Sequence, residues 1–149
     1  MAKVVHAKAI SHKEIDLTWL IGCSIRSVSF HEPHVWSFAF EPGRTLQVES
    51  LWRIVTPRGV VLTSGDYGQR FGLPAPVDAS KEVSKLLASE AISAVRVDEA
   101  TSDLSLAFGP DLRLEVVATS AGYESWQIHD AAGVNYVAQG GGKVSTWTS

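Results

Sequence analysis

Two imidazoles and a carboxylate share one short segment, His31-Glu32-Pro33-His34. These are metal-ligand types, but a zinc site needs three or four ligands held rigidly. No third partner of the usual kind stands nearby. The segment therefore reads first as a solvated hairpin turn, with His31 and His34 as weak metal candidates. A second segment, Gln139-Gly140-Gly141-Gly142-Lys143, has the look of a phosphate loop. It lacks the glycine five positions before the Gly-Lys pair, where Val137 stands, and the hydroxyl after the lysine, where Val144 stands. It reads as a glycine bulge or hairpin link, with an anion nest of backbone N–H groups as the alternative. No Gly-x-Ser-x-Gly elbow occurs. The single cysteine, Cys23, is expected to be a small buried residue rather than a nucleophile.

The most distinctive stretch is Ser120-Ala121-Gly122-Tyr123-Glu124-Ser125-Trp126. It sets an aromatic and an acid beside a glycine in an expected loop. Tyr123 and Glu124 suit recognition of a polar partner, because an aromatic gives contact area at low entropy cost and a carboxylate gives direction. Trp126 is expected in the core. A second candidate site is a pocket between helix and sheet, walled by Trp36, Trp52 and Phe38 with Arg53 as its polar group. Tyr67-Gly68-Gln69-Arg70-Phe71 is a candidate lid or partner-binding loop, and Trp147 is expected to be packed down or used at an interface.

The elements that must hold these residues follow from composition and periodicity. The chain has 149 residues, 45% hydrophobic and 19% charged, which fits one packed domain spanning 1–149. A net charge of −3 argues against a nucleic-acid surface. One cysteine excludes an intrachain disulfide and fits a reducing compartment. Met1–Lys8 lacks the apolar stretch of a secretion signal, and no apolar run approaches a membrane span, so a cytoplasmic location with no membrane partner is expected.

Asp78 is a good helix N-cap, and Ala79, Val83, Leu86 and Leu87 then share one face. In the first half, Ser11 is placed to cap a helix carrying Ile15, Leu17, Leu20 and Ile21, with Glu14 in the capping-box position. Alternating runs predict strands at 24–30, 35–40, 44–50, 52–56 and 59–64, then at 91–98, 103–108, 111–118, 124–129 and 133–138, with 144–148 closing.

These runs recur in order. Ile25–Phe30 matches Ile92–Val97 at an offset of 67, Trp36–Phe40 matches Leu104–Phe108 at 68, and Leu46–Glu49 matches Leu112–Glu115 at 66. Trp52-Arg53-Ile54 matches Trp126-Gln127-Ile128 at 74, which places an insertion of about eight residues before Trp126. The expected fold is α+β: antiparallel β-meanders from an internal duplication, about one helix per half. The pseudo-repeats cover 11–64 and 78–139, with a Gly/Pro linker at 65–77.

Gly72-Leu73-Pro74, Leu112-Arg113-Leu114-Glu115-Val116 and Tyr123-Glu124-Ser125-Trp126-Gln127-Ile128 resemble a family of small uncharacterised bacterial proteins, a domain of unknown function. That resemblance implies no catalytic residues. In size, charge and composition the chain is more loosely similar to bacterial toxin-immunity proteins. The leading expectation is a non-enzymatic binding protein, toxin-neutralising or regulatory, with a protein partner and no cofactor. The alternatives are a small-molecule pocket and an enzyme with a dispersed His/Glu/Arg site. A homodimer through an edge strand is a further expectation.

Overall fold

The computed structural model describes residues 8–148, so the reading of the N-terminal segment as lacking a secretion signal falls largely on residues outside the described ones. Among the described residues, twelve strands form two antiparallel sheets. In chain order they are β1 (Lys8–Ile10), β2 (Ser24–His31), β3 (Val35–Glu41), β4 (Arg44–Val48), β5 (Leu51–Thr56), β6 (Gly59–Thr63), β7 (Ile92–Val97), β8 (Leu104–Phe108), β9 (Leu112–Val117), β10 (Trp126–Asp130), β11 (Val134–Ala138) and β12 (Val144–Thr148). The one α-helix among the described residues, α1 (Ala79–Leu87), lies between β6 and β7. The fold is therefore mostly antiparallel β. No helix among the described residues is long and apolar enough to cross a membrane.

One sheet runs β1-β12-β11-β10-β4-β3-β2 and the other β6-β5-β9-β8-β7. Each three-stranded meander is thus extended by strands from the other half of the chain. β4 pairs with β10, setting Trp126 opposite Val48 and Ile128 opposite Leu46. β5 pairs with β9, setting Trp52 opposite Val116 and Ile54 opposite Leu114. The two meanders share one register. Ile25 faces Phe40 and Val28 faces Phe38, with a bulge between; Ile92 faces Phe108 and Val95 faces Leu106, again with a bulge. In this register Leu46 and Val48 correspond to Leu114 and Val116, an offset of 68 rather than 66.

The edges β2 and β7 meet at a single bridge, Ser24 opposite Ala91, flanked by Gly22 N–H to Ile92 O and Ile92 N–H to Cys23 O, both 2.8 Å. Strand alternation then decides the core. Trp36, Phe38 and Phe40 of β3 point inward, as do Leu104, Leu106 and Phe108 of β8, and Trp52, Ile54, Trp126 and Ile128 close the space between the sheets. Cys23 is buried, with its thiol donating to the Trp19 carbonyl at 3.6 Å.

The helix forms where the pattern places it. The Asp78 carboxylate accepts from Lys81 N–H at 3.2 Å, and Ala79, Val83 and Leu87 are buried. Replacing Asp78→Ala should cost about 1 kcal/mol, the usual worth of such a cap, read as a lower denaturant midpoint at unchanged slope.

The first-half helix does not form, which corrects the expectation of one helix per half. Two separate 3-10 turns stand there, His12–Glu14 and Thr18–Leu20. Ser11 makes no side-chain cap bond, and Ile15 is already extended at ψ 122. Asp16 competes for the backbone: it accepts from Thr18 N–H at 3.0 Å and Thr18 Oγ1–H at 2.6 Å. The Thr18 hydroxyl, then its N–H, hold the Asp16 carboxyl below its ordinary value. Leu17 and Leu20 still enter the core, so the apolar spacing serves burial without a helix. The strand β1, which alternation did not predict, pairs with β12 from Lys8 opposite Thr146 to Ile10 opposite Val144.

Candidate binding cleft

A cleft opens where the β4–β5 link crosses between the sheets. The β2–β3 turn, the Ser64–Asp66 3-10 turn and the loop before β10 wall it. Each wall is set locally. Thr63 and Asp66 form a reciprocal capping box, with Thr63 N–H donating to Asp66 Oδ2 at 3.0 Å, and Trp52 N–H ties the turn down through Ser64 Oγ at 3.2 Å. Tyr67 follows and packs on Phe30 and Trp36, with ring centroids 4.9 and 5.5 Å away. Phe30 and Trp36 are 4.8 Å apart, so three aromatic rings make one end of the cleft.

In the other wall, Ser120 Oγ accepts from the N–H groups of Gly122 and Tyr123 at 3.0 and 2.9 Å. That bend leaves Tyr123 83% exposed. Glu124 follows, its Oε2 accepting from Gln127 Nε2 at 2.7 Å. The pairing of β4 with β10 continues through Glu49 N–H to Ser125 O at 2.9 Å, which brings Glu49 beside the residue next to Glu124.

The cleft has two adjoining chambers that share lining residues. One, of about 430 Å³, is lined by Phe30, Trp36 and Tyr67 together with His34, Glu49 and Ser50. The second, of about 440 Å³, shares His34, Glu49, Ser50 and Thr119 and adds Tyr123 and Glu124. Glu49 and Glu124 are both half-buried, and neither is in an ion pair among the described residues. The site therefore combines aromatic faces with two carboxylates that are outside any ion pair among the described residues.

The structure brings Trp36, Tyr123, Glu124 and His34 to this one cleft. Trp36 lies at its floor, buried. Trp52 and Phe38 lie deeper, wholly buried, with Trp52 edge-on to Trp36 at 5.0 Å and to Phe38 at 5.5 Å. Arg53 is elsewhere: β5 turns it away from the core, where its Nε meets Glu115 Oε1 at 3.0 Å. His31 is exposed and takes no part in the cleft. Among the described residues no three His, Cys, Asp or Glu side chains gather where they could hold a metal ion.

Glu49 and Thr119 were not legible as site residues. Glu49 reads as the polar end of one strand, and only the pairing with β10 reveals that it neighbours Glu124. The glycine run has a geometric role. A Cβ on Gly140 would meet the backbone of Gly122, and one on Gly142 would meet the Ala100 carbonyl, so the run lets three backbone segments touch.

No curated protein matches the chain, and no solved structure does. A model of a family of unknown function, DUF6188, matches residues 16–148. That match spans most of the chain, from the Asp16 turn through both sheets, and the protein belongs to this family of unknown function.

Proposed function

We propose that the protein is a non-enzymatic binding module that takes a cationic side chain of a partner protein into the cleft. One observation carries this reading: Glu49 stands half-buried beside the Phe30–Trp36–Tyr67 rings and Glu124 half-buried in the adjoining chamber, and neither is in an ion pair among the described residues. A lysine or arginine would answer both features. It would pair with a carboxylate and lie against an aromatic face, an arrangement whose cation–π part is worth ~0.5–2 kcal/mol as desolvation increases. Tyr123 at the rim offers a large contact surface. The net charge of −3 would speed encounter with a basic partner. A regulatory or toxin-neutralising role would work by occupying such a basic residue on the partner.

The test uses the full chain and short peptides carrying arginine or lysine, followed by tryptophan fluorescence. Binding should weaken with added salt, fall at least tenfold in a Glu49→Gln/Glu124→Gln variant, and be absent for acidic peptides of the same length. Equal affinity for acidic and basic peptides, or binding indifferent to the double substitution, would overturn the reading. A Tyr123→Ala/Glu124→Ala variant should fold normally and lose the same interaction.

A second reading rests on the size of the aromatic chamber, about 430 Å³. That volume falls within the range of small-molecule sites, so a free amine metabolite would satisfy the same groups. Native mass spectrometry of freshly purified protein separates the two, because a retained metabolite adds mass that is lost on denaturation.

We also read the two halves as copies of one duplicated unit. Support comes from the matched registers of β2–β3–β4 and β7–β8–β9, down to the position of the bulge. The reciprocal pairings, Trp126 opposite Val48 and Trp52 opposite Val116, support it further.

A further inference from the structure

The two sheets differ at one edge. β11 pairs with β10 in an unbroken register with Ile128 opposite Tyr136, and β6 pairs with β5 with Ile54 opposite Leu62 and a bulge at Val61 that β11 lacks. The outer side of β11 is then covered by β12, with Tyr136 opposite Thr146 and Ala138 opposite Val144. The outer side of β6 carries no strand among the described residues. An uncovered edge presents free N–H and C=O groups to any chain that can pair with it.

The surroundings of this edge are apolar. Val60 and Val61 are 52% and 47% exposed, and Phe71 and Leu73 are 67% and 53% exposed. Val61, Phe71 and Leu73 line a groove of about 690 Å³ shared by β6, the linker and α1. Phe71 is held at φ +49, a conformation that costs a non-glycine residue free energy. Oppositely charged residues flank the strand: Arg58, exposed and in no ion pair among the described residues, before it, and Asp66 after it.

We propose that β6 pairs antiparallel with β6 of a second copy, centred on Val61, so that two five-stranded sheets become one of ten strands. The charges choose this occupant and this direction. About a twofold axis at Val61, Arg58 of each copy comes beside the Ser64–Asp66 turn of the other, whereas a parallel pairing would set like charges together. The partner copy also comes over the exposed Val60, Val61, Phe71 and Leu73. The seven-stranded sheet is the precedent within the same molecule: at the matching edge it takes one more antiparallel strand. Val61 is the extra residue of a bulge in β6 and stands outside the β5 ladder, which keeps any pairing centred on it short, and a twofold that uses the same edge in both copies closes the assembly at two chains.

Light scattering on a sizing column and native mass spectrometry of the full chain, from micromolar to near-millimolar, test this. A dimer that grows with concentration is expected. Val61→Lys puts two like charges face to face at the axis and should give monomer throughout, with an unchanged circular dichroism spectrum. Val61→Cys should form an intermolecular disulfide on mild oxidation, since Cys23 is buried, while Glu99→Cys in the exposed β7–β8 turn should not. The cysteine pair keeps the test decisive if the lysine variant fails to fold. A wild-type chain that stays monomeric across the range overturns the proposal, including the case in which it binds a foreign apolar peptide instead. A dimer that persists in Val61→Lys also overturns it.

Discussion

Replacing Trp126→Ala is expected to remove about 3–5 kcal/mol of stability, the usual range for deleting a buried tryptophan. The side chain is fully buried opposite Val48, so nothing outside the core can compensate. A gentler pair of substitutions says more. Trp126 Nε1–H donates to the Ser102 carbonyl at 2.8 Å, whereas the Nε1–H of the matching Trp52 is buried with no acceptor among the described residues. Trp126→Phe therefore loses ring area and also strips a partner from a buried carbonyl. Trp52→Phe loses similar area but removes an unpaired donor, which is a relief. Trp126→Phe should be the more destabilising by roughly 1–2 kcal/mol, the difference between making and orphaning one buried hydrogen bond. Urea denaturation followed by circular dichroism measures both. Equal losses would mean that the Ser102 contact contributes nothing net.

The same two tryptophans show what a sequence can and cannot say. Their identical setting, Trp followed by a β-branched residue two positions on, was legible, and so were the strands that carry them. Alternation in Trp36-Ser37-Phe38-Ala39-Phe40 and Leu104-Ser105-Leu106-Ala107-Phe108 records directly which face is dry. It does not record the neighbour. Nothing local tells β4 to pair with β10 rather than β5, since either partner would bury the same side chains. The cleft was half legible for that reason. Tyr123 and Glu124 stand out in their own loop, but Glu49 becomes part of the site only through the cross-half pairing. Arg53 is a candidate as the polar group of an aromatic-walled pocket, yet adjacent residues of a strand face opposite ways, and it meets Glu115 on the outside. The first-half helix was misread because apolar spacing of Leu17 and Leu20 satisfies a 3-10 turn as well as an α-helix, and Asp16 supplies the competing bonds.

Gly142→Ala is expected to be costly for so small a substitution, and Gly68→Ala isolates the reason. Both glycines have nearly the same backbone, φ +83 and +80. At Gly68 an added Cβ has nothing within 4 Å. Its cost is the strain of a left-handed alanine alone, about 1 kcal/mol. At Gly142 the same methyl runs into the Ala100 carbonyl, so one of two backbone segments must move. Adding an overpacking cost of ~1–3 kcal/mol brings the expected loss to roughly 2–4 kcal/mol. The displacement has a definite consequence. The Gly142 carbonyl accepts from Ser102 Oγ–H at 2.6 Å, and the Ser102 carbonyl in turn accepts from Trp126. A shift of Gly142 thus loosens the residue on which Trp126 depends. Gly142→Ala and Trp126→Phe should then be sub-additive in a double-mutant cycle, by at least about 0.5 kcal/mol, because the first already weakens what the second removes. Gly68→Ala and Trp126→Phe should simply add. If Gly142→Ala costs no more than Gly68→Ala, the glycine segment yields freely and the close approach to Ala100 is not what fixes Ser102.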